Sequence, residues 1–271
     1  MLVATPIGNL GDLSPRAVEA LSRADVIACE DTRRTRQLLA HAGVRTPRLV
    51  VVNDHTEAAR VREVIGLLDA GQCVVVVTDA GTPGVSDPGV RLVAAAAAAG
   101  HRVEVVPGPS AVIAALVVSG LPTGRFCFEG FLPRRGAART ARLEALRAEA
   151  RTTVLYEAPH RVRQTVADLC AALGPLRRVA IARELTKLHE ETWRGPLGRA
   201  VSHLSEREPR GEYVLVLDGA PPPGPPADAE VESALRAELD AGIDKKTAIA
   251  TVAGRFGVPK RHVYQIALGV R

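Results

Sequence analysis

Cys73-Val74-Val75-Val76-Val77-Thr78-Asp79-Ala80-Gly81-Thr82-Pro83-Gly84 is six strand-forming residues running into a loop of glycine and proline. An uninterrupted β-branched run of this length marks a strand buried on both faces, which occurs in parallel sheets covered by helices. The residues around it agree. Leu2 to Thr5 reads as a strand, followed by a helix whose cap is Ser14 and whose first residue is Pro15. Val26 to Glu30 is a second strand, followed by a helix capped by Asp31 or Thr32. Arg48 to Val52 is a third, and a helix from Thr56, with a capping box at its start, ends at Gly71. Beyond the quoted stretch an alanine-rich helix stops at Gly100, and Arg102 to Val106 is a further strand. Strands alternating with single helices predict a largely parallel sheet with helices on both sides.

After Pro107-Gly108-Pro109-Ser110 and a short apolar helix to Val118, a second α/β pattern begins. Its strands are Phe126 to Phe131, Thr153 to Tyr156, Val179 to Ala182, Glu191 to Arg194 and Tyr213 to Leu217. Helices over 141–150, 162–173 and 197–204 separate some of them, and two strands with no helix between predict mixed or antiparallel pairing. Ala220 to Ala227 holds five prolines and reads as a stiff linker. Beyond it, Lys245 to Phe256, a Gly257-Val258-Pro259 turn and Lys260 to Leu268 form a helix-turn-helix pattern. The expected organisation is an N-terminal α/β domain over 1–108, a second over 109–219, the linker over 220–227 and a helical domain over 228–271.

The 271 residues are 46% hydrophobic and 24% charged, as in a globular protein, with a formal charge of +5 carried almost wholly by arginine. No apolar stretch approaches the roughly 20 residues needed to span a bilayer, and no signal peptide is expected. The four cysteines are spread out without a CxxC pair, which favours packing in a reducing cytoplasm over disulfides or metal. Arginine forks onto phosphate and stacks on bases, so the charge is compatible with RNA.

Three glycine- and proline-rich loops follow strands: Gly8 to Asp12, Asp79 to Gly89, and Pro107 to Ala111. In open α/β sheets ligands bind beyond the carboxyl ends of strands, and such loops expose backbone to a ligand. Gly8-Asn9-Leu10-Gly11 lacks the G-x-G-x-x-G spacing of a dinucleotide site, and neither a Walker motif nor HExxH occurs.

Thr5-Pro6-Ile7-Gly8-Asn9-Leu10-Gly11-Asp12, Glu30-Asp31-Thr32-Arg33, Asp79-Ala80-Gly81-Thr82-Pro83, Ser86-Asp87-Pro88-Gly89 and Pro107-Gly108-Pro109-Ser110-Ala111 together resemble the tetrapyrrole methylase superfamily. Phe128 to Pro133, Tyr156-Glu157-Ala158-Pro159-His160-Arg161 and Ala182 to Lys187 are similar to its ribosomal RNA small subunit methyltransferase I branch, which methylates a cytidine 2′-hydroxyl in 16S rRNA. The resemblance covers essentially the whole chain. It implies two α/β domains with S-adenosylmethionine (SAM) in the cleft between them, a small C-terminal helix-turn-helix-like domain, a homodimer, and 16S rRNA or the small ribosomal subunit as partner. Mapped by motif, the SAM residues are Pro6, Gly81, Thr82, Val85, Ser110 and Ala111, with Tyr156 and Ala182 from the second domain.

Methyl transfer to a hydroxyl is an in-line displacement in which positioning supplies much of the rate and a base assists. The catalytic candidates are Glu30, Arg33, Glu184 and Lys187; with its pKa lowered, Lys187 would be a neutral amine able to accept a proton. Asp31 reads equally as a helix cap paired with Arg33 in ordinary structure. RNA contacts are expected from His55, from Arg134 and Arg135 at the head of a basic run continuing through Arg139, Arg142, Arg147 and Arg151, and from Lys245, Lys246, Lys260 and Arg261 in the helical tail. Two other readings share parts of this pattern: a corrinoid or porphyrin-precursor methylase, and a non-catalytic nucleic-acid-binding regulator.

Overall fold

A computed structural model describes every residue except Asp54, Arg207, 223–225 and 270–271. The middle of the linker and the terminal Arg271 therefore lie outside the described residues. The chain forms two compact units, Met1–Ala220 and Pro221–Arg271.

The first half of the large unit contains β1 (Leu2–Val3), α1 (Pro15–Ser22), β2 (Val26–Cys29), α2 (Thr32–His41), β3 (Arg48–Val51), α3 (Glu57–Asp69), β4 (Val74–Val76), α4 (Val90–Ala98) and β5 (Val105–Val106). Its sheet has the order β3-β2-β4-β1-β5, and every pairing is parallel. The valine run is thus the central strand. Val75 joins Val3, Ile27 and Leu39 on one face, while Val74 joins Val26, Val50, Val64 and Leu92 on the other. Burial on both faces is what the uninterrupted apolar run demanded.

The order also places β4, β1 and β5 side by side, so the three glycine-rich loops leave adjacent strand ends. Their convergence follows from sheet topology, not from proximity in sequence.

The second half comprises α5 (Ala111–Val118), β6 (Phe126–Phe131), α6 (Ala137–Ala148), β7 (Thr152–Glu157), α7 (Pro159–Leu173), β8 (Arg178–Arg183), β9 (Glu191–Pro196), α8 (Leu197–Ser205) and β10 (Tyr213–Leu217). The sheet order is β6-β7-β10-β8-β9; β6 and β7 are parallel and the other pairings antiparallel. The last strand is inserted at the centre and is buried throughout. One face packs Leu155, Ile181 and Leu215 against α7 and α8 residues including Val166, Leu169, Leu197 and Ala200. The other carries Val154, Ala180, Ala182, Val214 and Val216 beneath Val112, Ala115 and Leu116 of α5, and Ile7 from the first half enters this same core.

Two local expectations are corrected. Thr56 makes no capping hydrogen bond to α3. Asn53 shapes the turn, its carboxamide oxygen accepting from the backbone of His55 and Thr56 at 3.1 and 3.0 Å. The helix expected from residue 141 begins at Ala137. That start puts Arg139 in the first turn, facing inward.

The small unit comprises α9 (Asp228–Asp240), α10 (Lys245–Phe256) and α11 (Lys260–Gly269) around Val231, Leu235, Ala248, Val252 and Val263. Asp244 caps α10, accepting from the backbone N–H of Lys246 and Thr247, and Gly257 ends it in the left-handed conformation.

Glu57 has a long-range task. Its buried Oε1 accepts the backbone N–H of Gly89, Arg91 and Leu92 at 2.9, 2.9 and 3.2 Å, which closes the N-terminus of α4 with a negative charge. This anchors the end of the Asp79–Gly89 loop. Charge-assisted hydrogen bonds contribute about 1.5–3 kcal/mol. Glu57→Ala is expected to lower unfolding free energy by roughly 2–3 kcal/mol in urea melts, with Glu57→Gln losing less because an acceptor remains.

Candidate functional site

Thr5 and Gly81 form an isolated antiparallel bridge, with N–H···O distances of 2.9 and 3.1 Å, that ties the first loop to the second. The Thr82 hydroxyl donates to the Pro109 carbonyl at 3.2 Å and ties the second to the third. Gly81 has φ +84°, and a Cβ there would meet Ile7 at 3.4 Å. A side chain at this position would be conformationally strained and pressed against the neighbouring loop.

These joined loops and the second sheet enclose a cavity of about 340 Å³. Gly81, Thr82, Val85, Ser110, Ala111 and Tyr156 all line it. Pro6 lies outside this lining, in a neighbouring cavity. Ala182 is 1% exposed and buried beneath α5. Ile7, Asp87, Phe131 and Glu212, to which sequence reasoning assigned no role, also line the cavity, together with Glu157. Four of these sat within motifs already quoted. Glu212 sat in none, and its only local signal is Gly211 before the last strand.

Tyr156 packs edge-on against Phe128 and Phe131, at centroid distances of 5.0 and 5.7 Å. Burial, aided by the charge of Asp87, pushes its hydroxyl pKa up to about 12, so it remains a neutral donor. Next to it Glu157 is buried; its carboxylate accepts from Ala158 N–H at 2.9 Å and the Thr165 hydroxyl at 2.5 Å, and Arg161 lies 3.5 Å away.

Glu184 and Lys187 come together at one edge of the site. The Lys187 ammonium lies 2.9 Å from Glu184 and 3.0 Å from the cavity-lining Glu212. The turn is tight: Glu184 and Thr186 have φ of +52° and +66°, both unusual for side-chain-bearing residues. Gly8 makes this packing possible, since a Cβ there would sit 2.4 Å from Lys187 Cγ. Burial pulls the Lys187 pKa down, but the two carboxylates outweigh it and hold it above the ordinary lysine value. The expectation of a lowered Lys187 pKa is therefore corrected; this group is a held cation.

Glu30 and Arg33 are not part of that cluster. Glu30 follows β2, half-buried and outside the cavity lining. Arg33 is exposed and forms a 2.8 Å ion pair with Asp31, which also accepts the Arg33 backbone N–H at 2.7 Å as the α2 cap. Bonding to Arg33 holds the Asp31 carboxyl at a pKa of about 2.

His55 is exposed in the turn after β3. Of the basic run, Arg134 and Arg135 are exposed in the β6–α6 loop. Arg139 is buried, binding Asp168, Thr165 and the Pro133 carbonyl, and Arg142, Arg147 and Arg151 pair with Glu129, Glu144 and Glu149. The expected phosphate-facing row is reduced to its first two members. Lys246, Lys260 and Arg261 are exposed on the small unit, whereas the Lys245 ammonium donates to the Ala267 carbonyl at 2.7 Å.

The pair of five-stranded sheets with joined glycine-rich loops is a fold that this chain shares with solved methyltransferases. Residues 1–201 match the model of the Tetrapyrrole (Corrin/Porphyrin) Methylases, and the chain belongs to that family. Within it the chain falls in the ribosomal RNA small subunit methyltransferase I branch: it is 47% identical over 269 residues to the protein of that name from Synechocystis, covering 98% of this chain and 96% of the relative. Among solved structures, the methyltransferase CobJ shares the fold with a TM-score of 0.61 at 21% identity, over 81% of this chain and 93% of its own. Uroporphyrin-III C-methyltransferase from Thermus thermophilus, solved with S-adenyl homocysteine, does so with a TM-score of 0.54 at 21% identity, over 80% and 95%.

The pKa directions at Lys187 and Glu184 define a stability window. A raised lysine stabilises the fold below its unfolded pKa and loses that effect as pH rises through the folded value. Glu184 is lowered, because its bonds to Lys187 and Glu212 outweigh burial; its contribution holds above the unfolded pKa and is lost as pH falls through the folded one. The Tm difference between wild type and Lys187→Met should therefore stay level from about pH 5 to 10 and shrink on either side.

Proposed function

We propose that this protein transfers a methyl group from SAM to the 2′-hydroxyl of a cytidine in 16S rRNA. The observation that carries the cofactor assignment is the charge of the large cavity: among the described residues its lining includes the carboxylates of Asp87, Glu157 and Glu212 and no lysine or arginine. Such a lining suits a ligand bearing a sulfonium and an ammonium, and does not suit a phosphate-rich dinucleotide. The donor chemistry fits: main chain around Gly81, Thr82 and Ser110, apolar contact from Val85, Ala111 and Ile7, and the neutral hydroxyl of Tyr156.

Bound there, SAM supplies an electrophilic methyl on a positively charged sulfur. The chain's own contribution is to hold the approach in line and exclude water, which accounts for a large part of such a barrier. The Glu184–Lys187–Glu212 cluster fixes one edge of the cavity. Glu30 and Arg33 act at the RNA-facing rim, and Pro6 and Ala182 support the cavity from outside its lining. No residue is assigned as the base; the ribose proton passes to solvent.

The RNA assignment rests on the named relatives together with the outward cations. His55, Arg134 and Arg135 extend the contact surface of the large unit, and Lys246, Lys260 and Arg261, with Lys245 behind them, form the basic face of the helical unit. The two halves of the large unit, 1–108 and 109–219, act as two domains around the cofactor, with 228–271 as an RNA-binding appendage. We further assign the active form as a homodimer in the cytoplasm; exposed Ile113 and Val117, one turn apart on α5, supply apolar surface for self-association. Among the described residues no helix is long and apolar enough to cross a membrane.

The test is calorimetric binding of SAM, followed by methyl transfer from labelled SAM to small subunits purified from cells lacking this gene, with the product mapped by mass spectrometry. Ribose methylation of one cytidine is the expected result; absence of SAM binding sinks the assignment. Lys187→Ala and Glu30→Ala should each reduce turnover with both substrates saturating. Replacing Arg134 and Arg135 together by alanine should reduce the slope of log affinity against log salt by about 1.5, as expected for two lost phosphate contacts.

A further inference from the structure

A second cavity, of about 300 Å³, adjoins the first. The two share their partition. Thr5, Pro6, Thr78 and Asp79 line the second cavity, whereas Ile7, Ala80 and Gly81 line the first. The Thr5–Gly81 bridge holds these segments together, so immediately successive residues face different chambers. The opposite wall of the second chamber is α2, through Arg34, Gln37 and Leu38.

This lining has two characters. Pro6, Leu10 and Leu38 offer apolar surface, and Leu10 is 47% exposed although it is a large hydrocarbon side chain. The same lining holds a charged pair, Asp79 and Arg34. Asp79 Oδ1 accepts the Asp31 backbone N–H at 3.1 Å, which orients the carboxylate. Its Oδ2 lies 3.5 Å from Arg34 Nε, well beyond the roughly 2.7–2.9 Å of a close charge-assisted bond. Both groups thus retain hydrogen-bonding capacity, one as acceptor and one as donor. Apolar walls with an adjacent acceptor and donor fit the flat face and polar edge of a heterocyclic base. The volume lies at the small end of the range for ligand cavities.

We propose that the second cavity receives the base of the nucleotide to be methylated, an aminopyrimidine whose exocyclic amine donates to Asp79 and whose adjacent ring acceptor receives from Arg34. The proposal rests on the methyl-transfer reading above and adds the basis for choosing the base. A carboxylate selects cytosine through its amine, because uracil presents a carbonyl at that position and sets acceptor against acceptor. The base must leave its stack to enter, as in other enzymes that act on single nucleotides and in recognition of unstacked RNA loops. With the base in this chamber, its ribose must reach past the edge of the Thr5–Gly81 partition, so that the 2′-hydroxyl meets the methyl group with no main chain between them. Pro6, which resemblance alone assigns to the cofactor, becomes a wall of the base pocket.

The test uses small subunits lacking the modification, carrying either cytidine or uridine at the position that the wild-type enzyme methylates. Wild type should favour cytidine by roughly 10- to 100-fold in kcat/KM. Asp79→Asn presents an amide N–H₂ that matches a carbonyl, so the ratio should collapse or invert while SAM affinity, measured by calorimetry, stays within about twofold. Arg34→Ala provides a variant expected to fold normally, since its side chain is 64% exposed and makes no other ion pair among the described residues. It should raise KM for the subunit about tenfold, again with SAM binding retained. An unchanged cytidine-to-uridine ratio in Asp79→Asn, wild-type KM in Arg34→Ala, or a mapped position that is not cytidine overturns the base pocket and leaves methyl transfer standing. Failure of the wild-type protein to bind SAM or transfer a methyl overturns the underlying reading instead.

Discussion

Two backbone hydrogen bonds between Thr5 and Gly81 hold together everything proposed for this molecule. They join the loop after β1 to the loop after β4, and they form the partition between the two cavities. The bridge exists because β1 and β4 are neighbours in the sheet and because Gly81 adopts a positive φ that other residues avoid. Thr82 extends the junction to Pro109, and Glu57 fixes the far end of the same loop at the head of α4. A site built mainly of main-chain atoms acquires rigidity from such ties, since it has few long side chains to lock in place.

The distribution of charge divides the surface by task. Among the described residues the large cavity is lined by carboxylates without a cation, while exposed arginines and lysines occur elsewhere on each unit. Lys187 marks the boundary: it is close to the cavity, but its two carboxylate partners keep it protonated and stationary. Arg34 and Asp79 are a looser pair, facing one another across a distance that leaves room for a ligand's own hydrogen bonds. Strained backbone at Ser86, Glu184 and Thr186 falls around the same site. Such conformations persist where surrounding contacts over-determine them.

Most of the elements were legible in the linear pattern. The valine run gave a strand buried on both faces, Ser14-Pro15 a helix start, and the Gly257 turn a break between α10 and α11, because each signal is local and its physics is complete within a few residues. Six of the eight positions that the family resemblance assigns to the cofactor also line the cavity. The failures share a cause. Thr56 looked like a cap, but Asn53 shaped that turn and Glu57 reached across to another helix. Arg139 looked like surface charge, but an earlier helix start turned it into a buried partner of Asp168. Lys187 looked like a tunable base until Glu212, 25 residues away, supplied a second negative charge.

Sequence alone therefore determined the alternation of elements, the parallel character of the first sheet and the backbone-rich nature of the loops, all consequences of period, β-branching and allowed φ. Only the tertiary structure decided that β4, β1 and β5 lie side by side, that Pro6 and Ile7 face different cavities, and which charges are paired. Periodicity records which face of an element is apolar, whereas strand order and long-range electrostatics depend on neighbours that can be tens of residues away. The valine run of residues 73–78 shows both: its composition required burial on two faces, but its position at the centre of the sheet was settled by the strands that flank it.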